Sequence, residues 1–94
     1  MAGGVRALFS RWFGGSAVAA AEPVEYNGYL IRPAPYARQG QYQTCGVIEK
    51  DVAGEKKEHR FIRAETHPSR DAAIAFSIHK AKQLIDEQGD RLFG

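Results

Sequence analysis

The chain has one cysteine in 94 residues, three histidines and no long apolar run. A lone Cys45 rules out an internal disulfide framework and a cysteine-rich zinc site, and suits a reducing compartment such as the cytoplasm. It reads as a small apolar residue inside a strand. His59, His67 and His79 lack the i, i+4 spacing that puts two metal ligands on one helix face. Gly3-Gly4 and Gly14-Gly15 do not lie between a strand and a helix, so no phosphate-cradling loop is formed. Ser16, Thr66 and Ser69 have no attendant base, and Asp86, Glu87 and Asp90 read as a solvated helix terminus. The reading is therefore of a protein that is not an enzyme, with no catalytic residues, metal or cofactor. No apolar stretch is long enough for an integral membrane segment.

An excess of positive charge is also missing where it would matter. The formal net charge is +2, from 13 Lys and Arg against 11 Asp and Glu. Arg6 and Arg11 are the only charged residues before Glu22, so taking them from the 13 leaves 11 basic residues against 11 acidic ones. Nucleic-acid binders draw much of their affinity from phosphate neutralisation, so any such contact here needs a local cluster rather than an overall excess.

What is present divides into two parts. Residues 1–21 form a tail, with Val5, Leu8, Phe9, Trp12 and Phe13 on one broad face of a short amphipathic helix that Gly14-Gly15-Ser16 would end. Leu8, Phe9, Trp12 and Phe13 are its candidate anchors for a partner groove or a membrane surface. The alternative is a tail that is disordered alone. A secretory signal is not expected, although residues 17–21 superficially resemble a cleavage site.

Residues 22–94 read as one α+β domain: a three-stranded antiparallel meander followed by one C-terminal helix packed on the sheet. The first strand covers Tyr26-Asn27-Gly28-Tyr29-Leu30-Ile31-Arg32 and stops at Pro33 and Pro35, which open a loop. The second runs over 41–51 and the third centres on Glu58-His59-Arg60-Phe61-Ile62-Arg63-Ala64, with Val52-Ala53-Gly54 as the turn between them. Opposite-charge matching favours a register pairing Lys50 with Glu55 and Glu49 with Lys56. That register places Thr44, Gly46, Ile48, His59 and Phe61 on one face, and Cys45, Val47, Ile62 and Ala64 on the other.

The helix signals are the clearest. Ser69 is a good N-cap, Asp71 suits the first turn and Gly89 suits the stop. Ile74, Ile78, Ala81 and Ile85 form an apolar stripe with Ser77 and Leu84 on its flank, and Phe76 points to solvent. One helix cannot cover two apolar sheet faces. The reverse face is therefore expected to meet a second copy in a homodimer, the tail or a protein partner.

The basic run Lys56, Lys57, Arg60 and Arg63 on the third strand is the candidate nucleic-acid contact. Interleaved Glu55, Glu58 and Glu65 leave open a second reading, a mixed-charge edge strand guarded against aggregation.

Several segments carry a family resemblance. Tyr26-x-Gly28, Ile31-Arg32-Pro33-Ala34-Pro35, Gly40-Gln41-Tyr42, Gly46-x-Ile48-Glu49-Lys50, the third strand, Lys80-Ala81-Lys82-Gln83 and the ending Ile85-Asp86-Glu87-Gln88-Gly89-Asp90-Arg91-Leu92-Phe93 resemble the small bacterial HlyU family. The resemblance implies a transcriptional regulator with DNA as a partner. Regulators of that name with a winged-helix fold need a helix-turn-helix ahead of the wing, a pattern this sequence lacks. The resemblance thus supplies a function label and no DNA-reading residues. A non-enzymatic regulatory binding domain is the reading that results, with a protein-interaction or membrane-surface module as the alternative.

Overall fold

The computed structural model of the chain describes residues 21–94. Five strands, β1 (Val24–Tyr26), β2 (Tyr29–Pro33), β3 (Tyr36–Arg38), β4 (Gln41–Val52) and β5 (Glu55–His67), precede helix α1 (Arg70–Gln88) and a terminal 3-10 turn, Gly89–Phe93. The expected α+β class, an antiparallel sheet with one C-terminal helix, is what the chain adopts. The sheet is built from more pieces than the expected meander.

The difference comes from tight turns. Asn27-Gly28, Gln39-Gly40 and Ala53-Gly54 each join two paired strands, and both residues of every pair have positive φ. This is the two-residue turn whose twist matches that of the flanking strands. The expected first strand is therefore a hairpin, β1 and β2, folded at Asn27-Gly28 with Tyr26 opposite Tyr29. The Pro33-Ala34-Pro35 stretch is not a loop out of the sheet. β2 and β3 lie in one continuous register along the same edge of β4, from Leu30 opposite Glu49 to Arg38 opposite Gln41. Across the prolines, which have no N–H to give, Ala34 N–H still donates to the Cys45 carbonyl at 2.9 Å.

β4 is central, with β5 on its other edge. The register differs from the charge-matched expectation by two residues: Glu49 lies opposite Glu58 and Lys50 opposite Lys57. The two-residue turn at Ala53-Gly54 and the fit of Phe61 over Gly46 prevail over pairings worth only tenths of a kcal/mol. Charges are instead matched off the direct pairs. Lys56 reaches Glu49 at 3.4 Å, Lys57 reaches Glu55 at 3.2 Å and Lys50 reaches Asp90 at 3.0 Å. A shift by two preserves face parity, so the expected division of side chains between the faces holds.

One face packs on α1. Its core joins Tyr29, Ile31, Ile48 and Phe61 to Ala81, Leu84, Ile85 and Leu92. Ser69 caps the helix, its Oγ accepting the Ala72 N–H at 3.1 Å, and the Gly89 N–H closes the other end on the Ile85 carbonyl. The buried stripe is rotated from the one read in sequence, since Ala73, Ser77, Ala81, Leu84 and Ile85 face inward while Ile74 and Ile78 are only half-buried. The small residues let the helix approach β4 closely enough for the Cys45 N–H to donate to Ser77 Oγ at 3.2 Å. Phe76 does not point to solvent: it is half-buried, with its ring 4.9 Å from that of His67.

The helix end is tied to the first hairpin. Tyr26 Oη donates to Asp86 at 2.8 Å, and Tyr29 Oη donates to Asp90 at 2.5 Å. Asp86 and Asp90 are thus hydrogen-bonded clamps rather than merely solvated carboxylates. The Tyr29 hydroxyl and then Lys50 hold the Asp90 carboxyl below its ordinary 3.8, while the bond to Asp90 raises Tyr29.

Candidate nucleic-acid interface

On the other sheet face the described residues place no helix. Strand pairing sorts its side chains into rows that follow one another about 7 Å apart along the strands. Glu25, Leu30, Glu49 and Glu58 form one row, and Arg32, Val47 and Arg60 form the next. Then come Cys45 with Ile62, Tyr36 with Gln43 and Thr66, and Arg38 with Gln41. Asp51 and Lys56 lie beyond the glutamate row.

Charge is therefore segregated along the face. From the Arg32–Val47–Arg60 row to the Arg38–Gln41 row, every charged member is an arginine. The carboxylates gather toward the Ala53-Gly54 turn. There Glu49 is 3 % exposed, and Arg32 Nε bonds it at 2.8 Å. Arg32 and Arg60 flank Val47, which is fully buried.

The arginine half also holds the exposed large hydrophobics among the described residues, Tyr36 at 39 % and Ile62 at 45 %. Between β3 and the end of β5 lies an open depression of about 490 Å³ lined by Arg38, Gln39, Gln41, Gln43, Ala64 and Thr66. Its floor is held in place. Gln43 Nε2 donates to the Arg63 carbonyl, Thr44 Oγ1 to the Glu65 carbonyl at 2.9 Å, and Thr66 Oγ1 to Gln41 Oε1 at 2.5 Å. These bonds fasten a bulge in β5, where residues 63–65 stand opposite Thr44 alone. Burial pushes the Cys45 thiol above its ordinary 9.0, against the pull of the nearby Arg60 guanidinium.

The expected basic run is not gathered on one surface. Lys56 and Arg60 lie on the open face, Lys57 lies on the helix side, and Arg63 sits half-buried in the bulge. Sequence reasoning missed Arg38 and Tyr36 because the proline stretch hid β3. The two-residue Gln39-Gly40 turn was the signal that could have found it. The anchors Leu8, Phe9, Trp12 and Phe13 lie outside the described residues. Among the described residues, no group of three His, Cys, Asp or Glu side chains is placed to hold a metal ion, and no helix is long and apolar enough to cross a membrane.

The profile of the family described as transcriptional activator HlyU matches residues 7–93. The chain belongs to the HlyU family. Comparison with curated proteins and with solved structures gave no match. Membership of the HlyU family supports a role in transcriptional regulation. The described part of this HlyU-family chain has one α-helix, placed after all the strands, and so no helix-turn-helix. Any contact made by the described residues has to use another surface.

Proposed function

We propose that the chain is a non-enzymatic, cytoplasmic regulator of transcription that contacts duplex DNA through the arginine half of its open sheet face. The observation that carries this reading is the carboxylate-free set of rows holding Arg32, Arg60 and Arg38 beside exposed Tyr36 and Ile62. Sheets and β-ribbons serve as DNA-reading elements in other folds. Guanidinium groups bind phosphate oxygens through paired N–H donors. Arg38 and Arg60 supply the phosphate contacts, and the amides of Gln39 and Gln41 supply donors and acceptors beside them.

The test is fluorescence anisotropy of a labelled random-sequence duplex titrated with the full chain over a salt series. Two or three phosphate contacts give a log–log salt slope of about −2 to −3. Arg38→Ala and Arg60→Ala each weaken binding and reduce the slope by about 1. Absence of binding at low salt, or binding that neither substitution alters, overturns the reading.

A further inference from the structure

We infer that the open edge of β5 is a self-recognition surface, and that the partner it fits is a second copy of this chain paired antiparallel about His59. Among the described residues β5 is hydrogen-bonded only to β4, which leaves one side of a 13-residue strand as an unpaired row of backbone donors and acceptors. The opposite edge of the sheet, β1, is only three residues long. A long bare edge of this kind is normally shortened, covered or guarded by charge. The charges on β5 do more than guard it.

Two identical antiparallel strands related by a twofold axis must pair residues of equal parity, because the axis stands perpendicular to the sheet and keeps each face on its own side. This limits the registers that have to be compared. Centring the pair on Glu58 opposes Glu58 to itself and Lys56 to Arg60. Centring it on Arg60 opposes Arg60 to itself, Lys57 to Arg63 and Glu55 to Glu65. Centring it on His59 opposes Glu58 to Arg60 and Glu55 to Arg63, each twice, with no like-charged pair. In that register Ile62 lies beside the aliphatic stem of Lys56 from the second copy, which covers part of a side chain that is 45 % exposed.

The regular part of the strand ends at Ile62, so the Glu58–Arg60 pairs lie within it and the Glu55–Arg63 pairs at its boundary with the 63–65 bulge. The same charges thus reject the Glu58- and Arg60-centred registers and admit the His59-centred one, which is how charge patterns confer specificity. The product is a continuous sheet with both helices on one side and both open faces on the other. This inference stands apart from the nucleic-acid reading, and its test contains no DNA.

The experiment is sedimentation equilibrium of the full chain, 10.4 kDa as a monomer, across micromolar to submillimolar concentrations. The wild type shows reversible association to twice that mass. Glu58→Arg and Arg60→Glu each weaken association about tenfold or more by placing like charges opposite each other twice. The combined Glu58→Arg/Arg60→Glu chain restores it. Glu55→Arg, Arg63→Glu and their combination repeat the test at the second pair, with circular dichroism confirming the fold of each variant. A monomer at every concentration, association indifferent to the single reversals, or a folded double reversal that stays monomeric overturns the inference.

Discussion

Gly46 sits where β4 passes under the Phe61 ring, and replacing it by alanine tests how the core is fitted. A Cβ built there meets Phe61 Cζ at 2.8 Å, Phe61 Cε1 at 2.9 Å and the Arg32 carbonyl oxygen at 3.1 Å. The ring cannot swing aside without opening the core, since Phe61 is 4 % exposed and packs among Ile31, Ile48 and helix residues. The carbonyl belongs to β2 and is held by the ladder. Overpacking of this kind costs about 1–3 kcal/mol. Loss of glycine's unfolded-state freedom returns about 0.5–1 kcal/mol. The net expectation for Gly46→Ala is a destabilisation of about 1 kcal/mol, which lowers Tm by about 4–8 °C in a domain of this size. Thermal and urea unfolding measure it directly. Phe61→Leu removes the two ring atoms in closest contact. In that background Gly46→Ala becomes close to neutral, an interaction energy of about 1 kcal/mol in the double-mutant cycle. The Arg32 carbonyl contact remains and keeps the rescue partial. Gly46→Ala that raises Tm alone, or that adds to Phe61→Leu without coupling, would refute the fit of ring over glycine.

Two further expectations concern the turns and the helix clamp. Ala53 has a φ of 54°, a conformation that disfavours a Cβ-bearing residue by about 1–2 kcal/mol. Ala53→Gly or Ala53→Asn therefore stabilises the domain by several tenths to about 1 kcal/mol in urea unfolding, and a loss of stability contradicts the turn type. Asp90 is depressed in the folded state, so its contribution is present above its unfolded value near 3.8 and is lost as pH falls through the lower folded value. Tyr29 and Lys50 are raised, both foremost by their bonds to Asp90, so their contributions are present below 10.0 and 10.5 and are lost as pH rises through the folded values. Asp90→Asn should flatten both limbs of a stability-versus-pH curve measured by urea midpoints. A curve of unchanged shape would show that the clamp does not act in solution.

The helix was legible in the sequence because its signals are local: Ser69, Asp71 and Gly89 act within one turn of where they stand. The strand face assignment was legible for a related reason, as alternation along 41–51 and 58–64 survives a register error of two residues. The register itself was not. Charge pairing across β4 and β5 is weak beside the turn geometry at Ala53-Gly54, and the close approach of Phe61 to Gly46 is a tertiary fact. The Asn27-Gly28 dipeptide did carry a hairpin signal, but the aromatic residues around it read as one long strand. Its loss also concealed the tyrosine clamps, since Tyr26 and Tyr29 reach Asp86 and Asp90 only once the chain folds back there. The candidate surface was half visible. Arg60 was found, Arg63 lies in the bulge and Lys57 on the helix side, while Arg38 and Tyr36 were hidden behind two prolines that interrupt the strand without changing its register on β4.

The most direct test of the proposed surface is amide chemical-shift mapping of the full chain on titration with a short random-sequence duplex at low salt. The account predicts perturbations concentrated on the open face at Tyr36, Arg38, Gln41, Arg60, Ile62 and Thr66, fading as salt is raised, with the buried stripe of α1 unmoved. Shifts confined to α1 or to the Glu25–Leu30–Glu49–Glu58 row, or none at low salt, would contradict it.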